Sequence, residues 1–127
     1  MPFAFLYIDH MRDTKGYIGC LESFCSECQV QGILRPSPRG SYDLLLLSES
    51  AEGIKRWVSL LKTTKIDVDS KGKRCKEKQS RVLLESKANV SMTAPTLKVI
   101  AVGEDLVGSI DDGEHIRIAL KEVMKSP

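Results

Sequence analysis

The sequence has little that would mark a membrane or secreted protein. Its 127 residues contain no apolar run near the roughly 18 residues that a bilayer-spanning helix needs. The opening MPFAFLYIDHMRD lacks the basic start and the length of a signal peptide. There are four cysteines, which in a chain that is not secreted are expected to stay reduced. We therefore predict a protein of the nucleus and cytoplasm, with no membrane partner.

Net charge is also low, at +2, which by itself does not indicate a nucleic-acid partner. The charge is nevertheless segregated along the chain. Residues 54–81 contain ten Lys and Arg against three acidic residues, a local charge of +7, whereas the remainder has nine against fourteen, or −5. A positive field is therefore concentrated over one region.

Hydrophobic periodicity predicts a β-α-β-β-α-β order followed by a further strand and helix. Strands are predicted at residues 3–8, 33–36, 42–47, 80–84 and 97–102; helices are predicted at 15–30, within 48–62 after an N-cap at Ser50, and at 111–125, with Ile116, Leu120, Val123 and Met124 on one apolar face. The economical arrangement is an α+β, ferredoxin-like split β-α-β sandwich. We predict one domain over residues 1–127, with a core at 3–86 and a C-terminal extension at 87–127.

The stretch DVDSKG resembles the start of a calcium-binding EF-hand loop. Asp67 and Asp69 occupy ligand positions, and Gly72 occupies the sixth position. However, Lys71 stands at the fifth position, and Lys78 stands where a bidentate Glu is required. Because two cations would repel the metal, the sequence argues against calcium, and we predict no metal site.

The cysteines of CSEC have the spacing of a redox pair or of half a zinc site. Cys25 and Cys28 lie well inside a predicted helix, on its apolar stripe, rather than at a helix N-terminus where a thiol pKa is lowered. Zinc would need two more ligands, and the nearest candidates, Cys75 and His10, have no paired spacing. We therefore predict buried core thiols.

The sequence contains no sign of a familiar catalytic motif. It has no nucleophile elbow, no Gly-rich phosphate loop and no H-E-x-x-H. His10 follows the first predicted strand and His115 opens the last helix, positions typical of surface or hydrogen-bonded histidines. We predict no enzyme, no cofactor and no small-molecule substrate, with an enzyme of unrecognised type around His10 or the cysteines as an alternative.

The basic segment is the most distinctive polar feature. Its cations form a predicted binding set for phosphate or an acidic partner: Lys71, Lys73, Arg74, Lys76, Lys78 and Arg81. No aromatic residue accompanies them in KGKRCKEK, and the patterning assigns Tyr7 and Trp57 to the core. Two interpretations stay open: residues 54–81 contact structured RNA, or the segment is a solvated connection whose lysines discourage edge pairing.

Two stretches resemble SUMO-interacting motifs, which add a strand to the SUMO sheet while acidic flanks meet its basic rim. They are DLLLLSES (residues 43–50) and VIAVGED (residues 99–105). The second is the better candidate because it lies near the end, and its predicted binding residues are Val99, Ile100, Val102, Glu104 and Asp105. The alternative is that both runs are core strands of the domain itself.

Three stretches carry a resemblance to a known family: YIDHMR, GILRPSPRGSYDLLLL and LKTTKIDVDSKGKRCKEKQSRVLLE. Together they resemble the C-terminal domain of the RWD-domain-containing protein 3 family, over residues 3–85. They are more distantly similar to the domain at the C-terminus of a spliceosomal tri-snRNP protein, which is ferredoxin-like and contacts small nuclear RNA. The PSPRG turn and the tail from residue 89 depart from the family pattern.

The resemblance implies a link to SUMO conjugation. In that family, contact with the conjugating E2 enzyme is attributed to an N-terminal RWD module, so no residue of this chain inherits an E2-binding role. We therefore expect a non-enzymatic protein-interaction domain of a SUMO-conjugation-linked regulatory protein, with SUMO or its conjugation machinery as partner. Structured RNA is the alternative partner.

Overall fold

The computed structural model describes residues 1–124, apart from the side chain of Met124. The strands are β1 (Pro2–Ile8), β2 (Gln31–Pro36), β3 (Tyr42–Leu47), β4 (Asp67–Val68), β5 (Arg74–Cys75), β6 (Ser80–Lys87) and β7 (Leu97–Val99); the helices are α1 (Thr14–Cys28), α2 (Ala51–Thr63) and α3 (Glu114–Met124). Among these helices, none combines the length and the apolar character needed to cross a bilayer. The predictions at Lys125 and at the Met124 side chain lie outside the described residues.

The main sheet has the strand order β6-β1-β3-β2-β7. The first four strands pair antiparallel, and β7 joins β2 in parallel at the far edge. Helices α1 and α2 pack against each other and against one face of this sheet. The predicted α+β, ferredoxin-like fold with an added strand and helix is therefore confirmed.

Strand alternation gives the sheet two apolar faces. On the first face, Leu6 and Ile8 of β1 pack beneath the two helices. Phe24 of α1 meets Trp57 of α2 edge-to-face, with ring centroids 5.9 Å apart. Trp57 is completely buried, as predicted.

The C-terminal extension covers part of the second face. Beneath it lie five apolar side chains of the sheet: Phe3, Phe5, Ile33, Leu45 and Leu47. The covering side chains come from the loops around β7 and from α3: Val90, Ile100, Leu106, Val107, Ile110, Ile116 and Leu120. The sheet is thus buried on both sides over this part of its area.

Tyr7 was predicted to be in the core, and this prediction is wrong. It follows Phe3 and Phe5 on the second face, but it lies beyond the edge of the extension and is only half-buried. Its hydroxyl donates to Asp9 at 2.9 Å. Alternation placed Tyr7 on an apolar face, but only the tertiary structure shows where the cover ends.

Two further differences concern short elements. The predicted strand at 97–102 ends at Val99, because Glu104 turns back and its side chain accepts a hydrogen bond from the Ala101 N–H at 3.2 Å. The hairpin of β4 and β5 was not predicted at all. Each of its strands has only two residues, too few to show an alternating pattern.

Candidate functional site

The β4–β5 hairpin is fixed to the loop between β1 and α1 by one carboxylate. The side chain of Asp67 is 6% exposed. It accepts hydrogen bonds from the backbone N–H groups of Asp13 and Val68, both at 2.8 Å, and of Arg12 at 3.1 Å. Asp13 in turn is the N-cap of α1, accepting from Gly16 N at 3.2 Å.

These contacts decide the charge of Asp67. Burial by itself would raise the pKa of this carboxyl, but the backbone donors outweigh burial, and the pKa is lowered below its usual value. The group is therefore an anion at neutral pH. The region just before the N-terminus of a helix favours an anion. Before α1, the Asp67 carboxylate of the same chain already occupies it.

Asp69 organises the hairpin turn. One carboxylate oxygen accepts from the N–H groups of Lys71 and Lys73, both at 2.9 Å. Gly72 follows with φ of +81°, a conformation that glycine adopts without a steric penalty, and its N–H donates to the Asp69 carbonyl at 3.0 Å. The DVDSKG stretch thus forms a turn of the fold.

The six predicted cationic binding residues are all exposed, and they lie on this hairpin, on the loop that follows it and at the start of β6. Two of them have partners: Arg74 pairs with Asp13 at 3.1 Å, and the Arg81 guanidinium lies 5.3 Å from the centre of the Tyr7 ring. The others form no ion pair with residues 1–124. We call this group the four free lysines: Lys71, Lys73, Lys76 and Lys78.

The open end of the second face is a site that the sequence reasoning missed. Tyr7, Asp9 and Arg39 line a shallow cleft of about 640 Å³ there. Nearby, Arg35 of β2 and Asp43 of β3 form an ion pair at 2.7 Å. The sequence did contain a signal for this site. The alternating apolar pattern of three adjacent strands is broken near one end of each, by Tyr7, Asp43 and Arg35.

His10 and Cys75 line a second cleft, of about 240 Å³, beside the hairpin. The His10 ring lies 3.2 Å from the Asp9 carboxylate and is half exposed. Within residues 1–124, no hydrogen bond joins His10 to Cys75. At the hairpin, Tyr17 donates its hydroxyl hydrogen to Glu77; burial, and then this carboxylate, raises the pKa of Tyr17.

Cys25 and Cys28 are buried in the core, as predicted. Burial raises the pKa of Cys25 to about 11, and it also raises the pKa of Cys28. Both are therefore neutral thiols at physiological pH rather than nucleophilic thiolates. In the part of the chain that the structure describes, no three His, Cys, Asp or Glu residues are grouped so as to hold a metal ion.

The residues resembling a SUMO-interacting motif are divided between surface and interior. Val99 and Val102 are about half exposed, at 48% and 52%, whereas Ile100 is buried against the extension. Glu104 caps the Ala101 N–H with its side chain, and Asp105 is bonded to Arg117. The earlier stretch, DLLLLSES, includes the central strand β3, which is paired on both sides.

Comparison with known proteins identifies sequence relatives. The chain is 43% identical over 82 residues to RWD domain-containing protein 3 of Mus musculus, and 40% identical over 82 residues to that of Homo sapiens. The predicted resemblance is confirmed. The match covers 65% of this chain, which spans about 30% of the length of these relatives. No protein-family model matches the chain.

Solved structures share the fold at low identity. The acylphosphatase from Bacillus subtilis superposes with a TM-score of 0.56 at 12% identity, covering 79% of this chain and 99% of that one. A bacterial light-regulated adenylyl cyclase gives 0.55 at 12% identity, covering 99% of this chain and 34% of that one. At such identities the likeness concerns the fold alone.

Proposed function

We propose that the chain is a non-catalytic protein-interaction domain of a regulatory protein linked to SUMO conjugation, acting in the nucleus and cytoplasm. The observation that carries the proposal is the 40–43% sequence identity to RWD domain-containing protein 3 over 82 residues of this chain. The partner is SUMO or a component of its conjugation machinery. The link to SUMO rests on what the family resemblance implies.

The chemistry of the described residues agrees with this role. Cys25 and Cys28 are neutral and buried, and Asp67 is occupied by backbone donors. By contrast, the four free lysines and the valines Val99 and Val102 are exposed to solvent. The groups with unused binding capacity are on the surface, where a partner makes contact.

A nitrogen-15 shift titration with SUMO and with the conjugating E2 tests the proposal. We expect SUMO to shift the amides around Val99 and Val102, and the double variant Val99→Ala/Val102→Ala to lose that response. Ile118→Ala is the matched control, because Ile118 is 54% exposed on α3. Unchanged spectra with both proteins would contradict the SUMO link.

RNA contact is a second candidate function, supported by one specific arrangement. The four free lysines lie on the hairpin and on the loop that leads from it into β6, and Arg81 of β6 covers the Tyr7 ring at the open end of the sheet. Exposed cations beside an aromatic face are the groups that bind phosphate and stack on bases. Under this alternative, residues 54–81 supply the cations, and the Arg81 guanidinium at the open end supplies a plane on which a base can stack.

Binding of a hairpin RNA across a range of salt concentrations tests this alternative. Lys73→Glu/Lys76→Glu should weaken binding and reduce the slope against log salt by about one to two. Lys98→Glu/Lys121→Glu makes the same charge change at exposed sites on β7 and α3 and should have a smaller effect. Arg74 is left unchanged because it pairs with Asp13. An absence of binding at low salt would eliminate the RNA candidate.

A further inference from the structure

Strand β6 forms one edge of the main sheet and is eight residues long. Its pairing register determines which backbone groups point outward. At one end Met1 and Ala88 exchange hydrogen bonds of 2.7 and 3.0 Å, and at the other end Asp9 donates to Gln79 at 3.1 Å. In an antiparallel strand, residues that bond to the neighbouring strand alternate with residues whose backbone groups face away from it. Counted from these two bonded ends, four residues of β6 direct their N–H and C=O groups away from β1: Ser80, Val82, Glu85 and Lys87.

The opposite edge offers much less. Strand β7 has three residues. Because Gly32 donates to Thr96 and Ile100 donates to Leu34, only Leu97 and Val99 within β7 direct backbone groups outward. An added strand would therefore form about twice as many hydrogen bonds along β6 as along β7.

An apolar cleft of about 220 Å³ adjoins the Lys87 end of β6. It lies between this strand and α2. Its apolar lining comes from Pro2, Phe3, Ala51 and Ile54, and Lys55, Glu85 and Lys87 complete it. A strand laid beside β6 would place alternate side chains over this cleft, where one aliphatic side chain can enter it.

The other end of β6 is strongly positive. The segment from residue 71 to 81, which leads into the Ser80 end of β6, contains six Lys and Arg against one acid, Glu77. Glu77 is already bonded to Tyr17, and among the cations only Arg74 has an ion-pair partner in residues 1–124. The field along the edge therefore favours negatively charged side chains.

We propose that the edge of β6 binds an extended acidic peptide of a partner protein by strand addition, with one aliphatic side chain held in the cleft beside α2. The inference rests on the proposed interaction function and names the surface and the partner chemistry. The outward backbone groups of β6 supply affinity through hydrogen bonds to the peptide backbone. The cleft selects the aliphatic side chain of the peptide, and the cations near β6 select acidic residues beside it.

The same charges also disfavour pairing of this edge with a second copy of the chain. Each copy carries the same excess of Lys and Arg beside β6, and their mutual repulsion discourages self-association. The bulge of β6 between its pairings with Phe5 and Leu6 adds to the protection. The charges do not obstruct an acidic strand, since for such a strand the repulsion becomes attraction.

The test uses the synthetic peptide Val-Ile-Val-Thr-Asp-Glu-Asp-Glu, titrated into the nitrogen-15-labelled chain. We expect the outward amides of Ser80, Val82, Glu85 and Lys87 to shift and to exchange more slowly with water. Glu85→Pro removes one outward N–H at an exposed edge position and should weaken binding about tenfold. Glu85→Ala keeps that N–H and should bind at least as well as the unchanged chain.

A charge comparison completes the experiment. Lys76→Glu/Lys78→Glu should weaken the peptide complex more than Lys98→Glu/Lys121→Glu, and a peptide with Lys in place of its acids should not bind. Equal binding by Glu85→Pro and Glu85→Ala, or shifts confined to β7 or the helices, would overturn the inference. If SUMO or the E2 still bound the Glu85→Pro variant in such a case, the proposed function would stand, and the β6 edge would be excluded as the binding surface. A hairpin RNA that bound to β6 while the peptide did not would also overturn it.

Discussion

The two faces of the main sheet are closed in different ways. Helices α1 and α2 cover the first face, where Leu6, Ile8 and Leu46 are at most 1% exposed. The second face is covered by loops, β7 and α3, and only in part. At its open end, Tyr7, Arg35 and Asp43 replace the apolar residues of the same strands.

This difference separates the part of the sheet that stabilises the fold from the part that we propose for recognition. The first face and the covered part of the second face hold apolar side chains that contribute free energy of folding through burial. The lysines beside the β6 edge form no ion pair within residues 1–124, whereas charged groups at the open end, such as Arg35 and Asp43, pair with each other. Under the proposal above, the partner surface lies along the β6 edge, where substitution of exposed side chains costs the fold little.

Removal of residues 88–127 should produce the largest loss of stability, because it takes the cover off the second face. It would uncover Phe3, Phe5, Ile33, Leu45 and Leu47, each losing about 1.5–3 kcal/mol of burial. The sum approaches the whole stability of a typical domain, about 5–15 kcal/mol. We expect loss of cooperative unfolding by circular dichroism and binding of a hydrophobic dye. A truncated chain with an unchanged midpoint would show that residues 3–86 are self-sufficient.

Two substitutions on β1 compare the covered and the open parts of the second face. Phe5→Ala should lower the free energy of unfolding by about 3–5 kcal/mol, because its ring is 1% exposed. Tyr7→Ala should cost about 1 kcal/mol, since a half-buried ring and its contact with Arg81 are lost. Urea unfolding measures both values, and equal losses would contradict the boundary drawn between the two parts.

Asp67→Ala should lower the free energy of unfolding by about 2–3 kcal/mol, because three partly buried backbone N–H groups lose their acceptor. The folded-state pKa of Asp67 is lowered, so its contribution is present above the unfolded pKa of about 3.9 and is lost as pH falls through the folded value. The variant should therefore lose less stability on acidification. Asp111→Ala, at an exposed carboxylate, is the control and should retain the pH dependence of the unchanged chain.

Of these experiments, chemical modification of the cysteines should have the smallest effect on the fold. Cys20 and Cys75 are partly exposed, whereas Cys25 and Cys28 lie beneath the helices with raised pKa values. In the native protein we expect a thiol reagent to modify Cys20 and Cys75 first, and the other two only on unfolding. Rapid labelling of Cys25 would show that the helical cover opens readily, and it would revive the alternative of a catalytic cysteine.

The fold was largely predictable because its elements have clear periodicity. β1 and β3 are apolar runs of strand length, and α2 has buried residues at helical spacing, so their order indicated the split β-α-β plan. The β4–β5 hairpin was missed because turn chemistry at Asp69 and Gly72, rather than periodicity, forms it. The partners of Asp67 were also unpredictable, since Arg12 and Asp13 are distant in sequence.

The exposure of the cations and the burial of Cys25 and Cys28 could be predicted from the sequence, because exposure of charge and burial of thiols follow from residue type. The sequence did not determine that Arg74 and Arg81 are engaged, that Ile100 is buried or that Tyr7 is not. Those outcomes depend on which segments of the chain meet in space. Local pattern thus determined the main strands and helices and their order, whereas long-range packing of the extension and the hairpin decided which surfaces remain free, because an element's own sequence does not record what covers it.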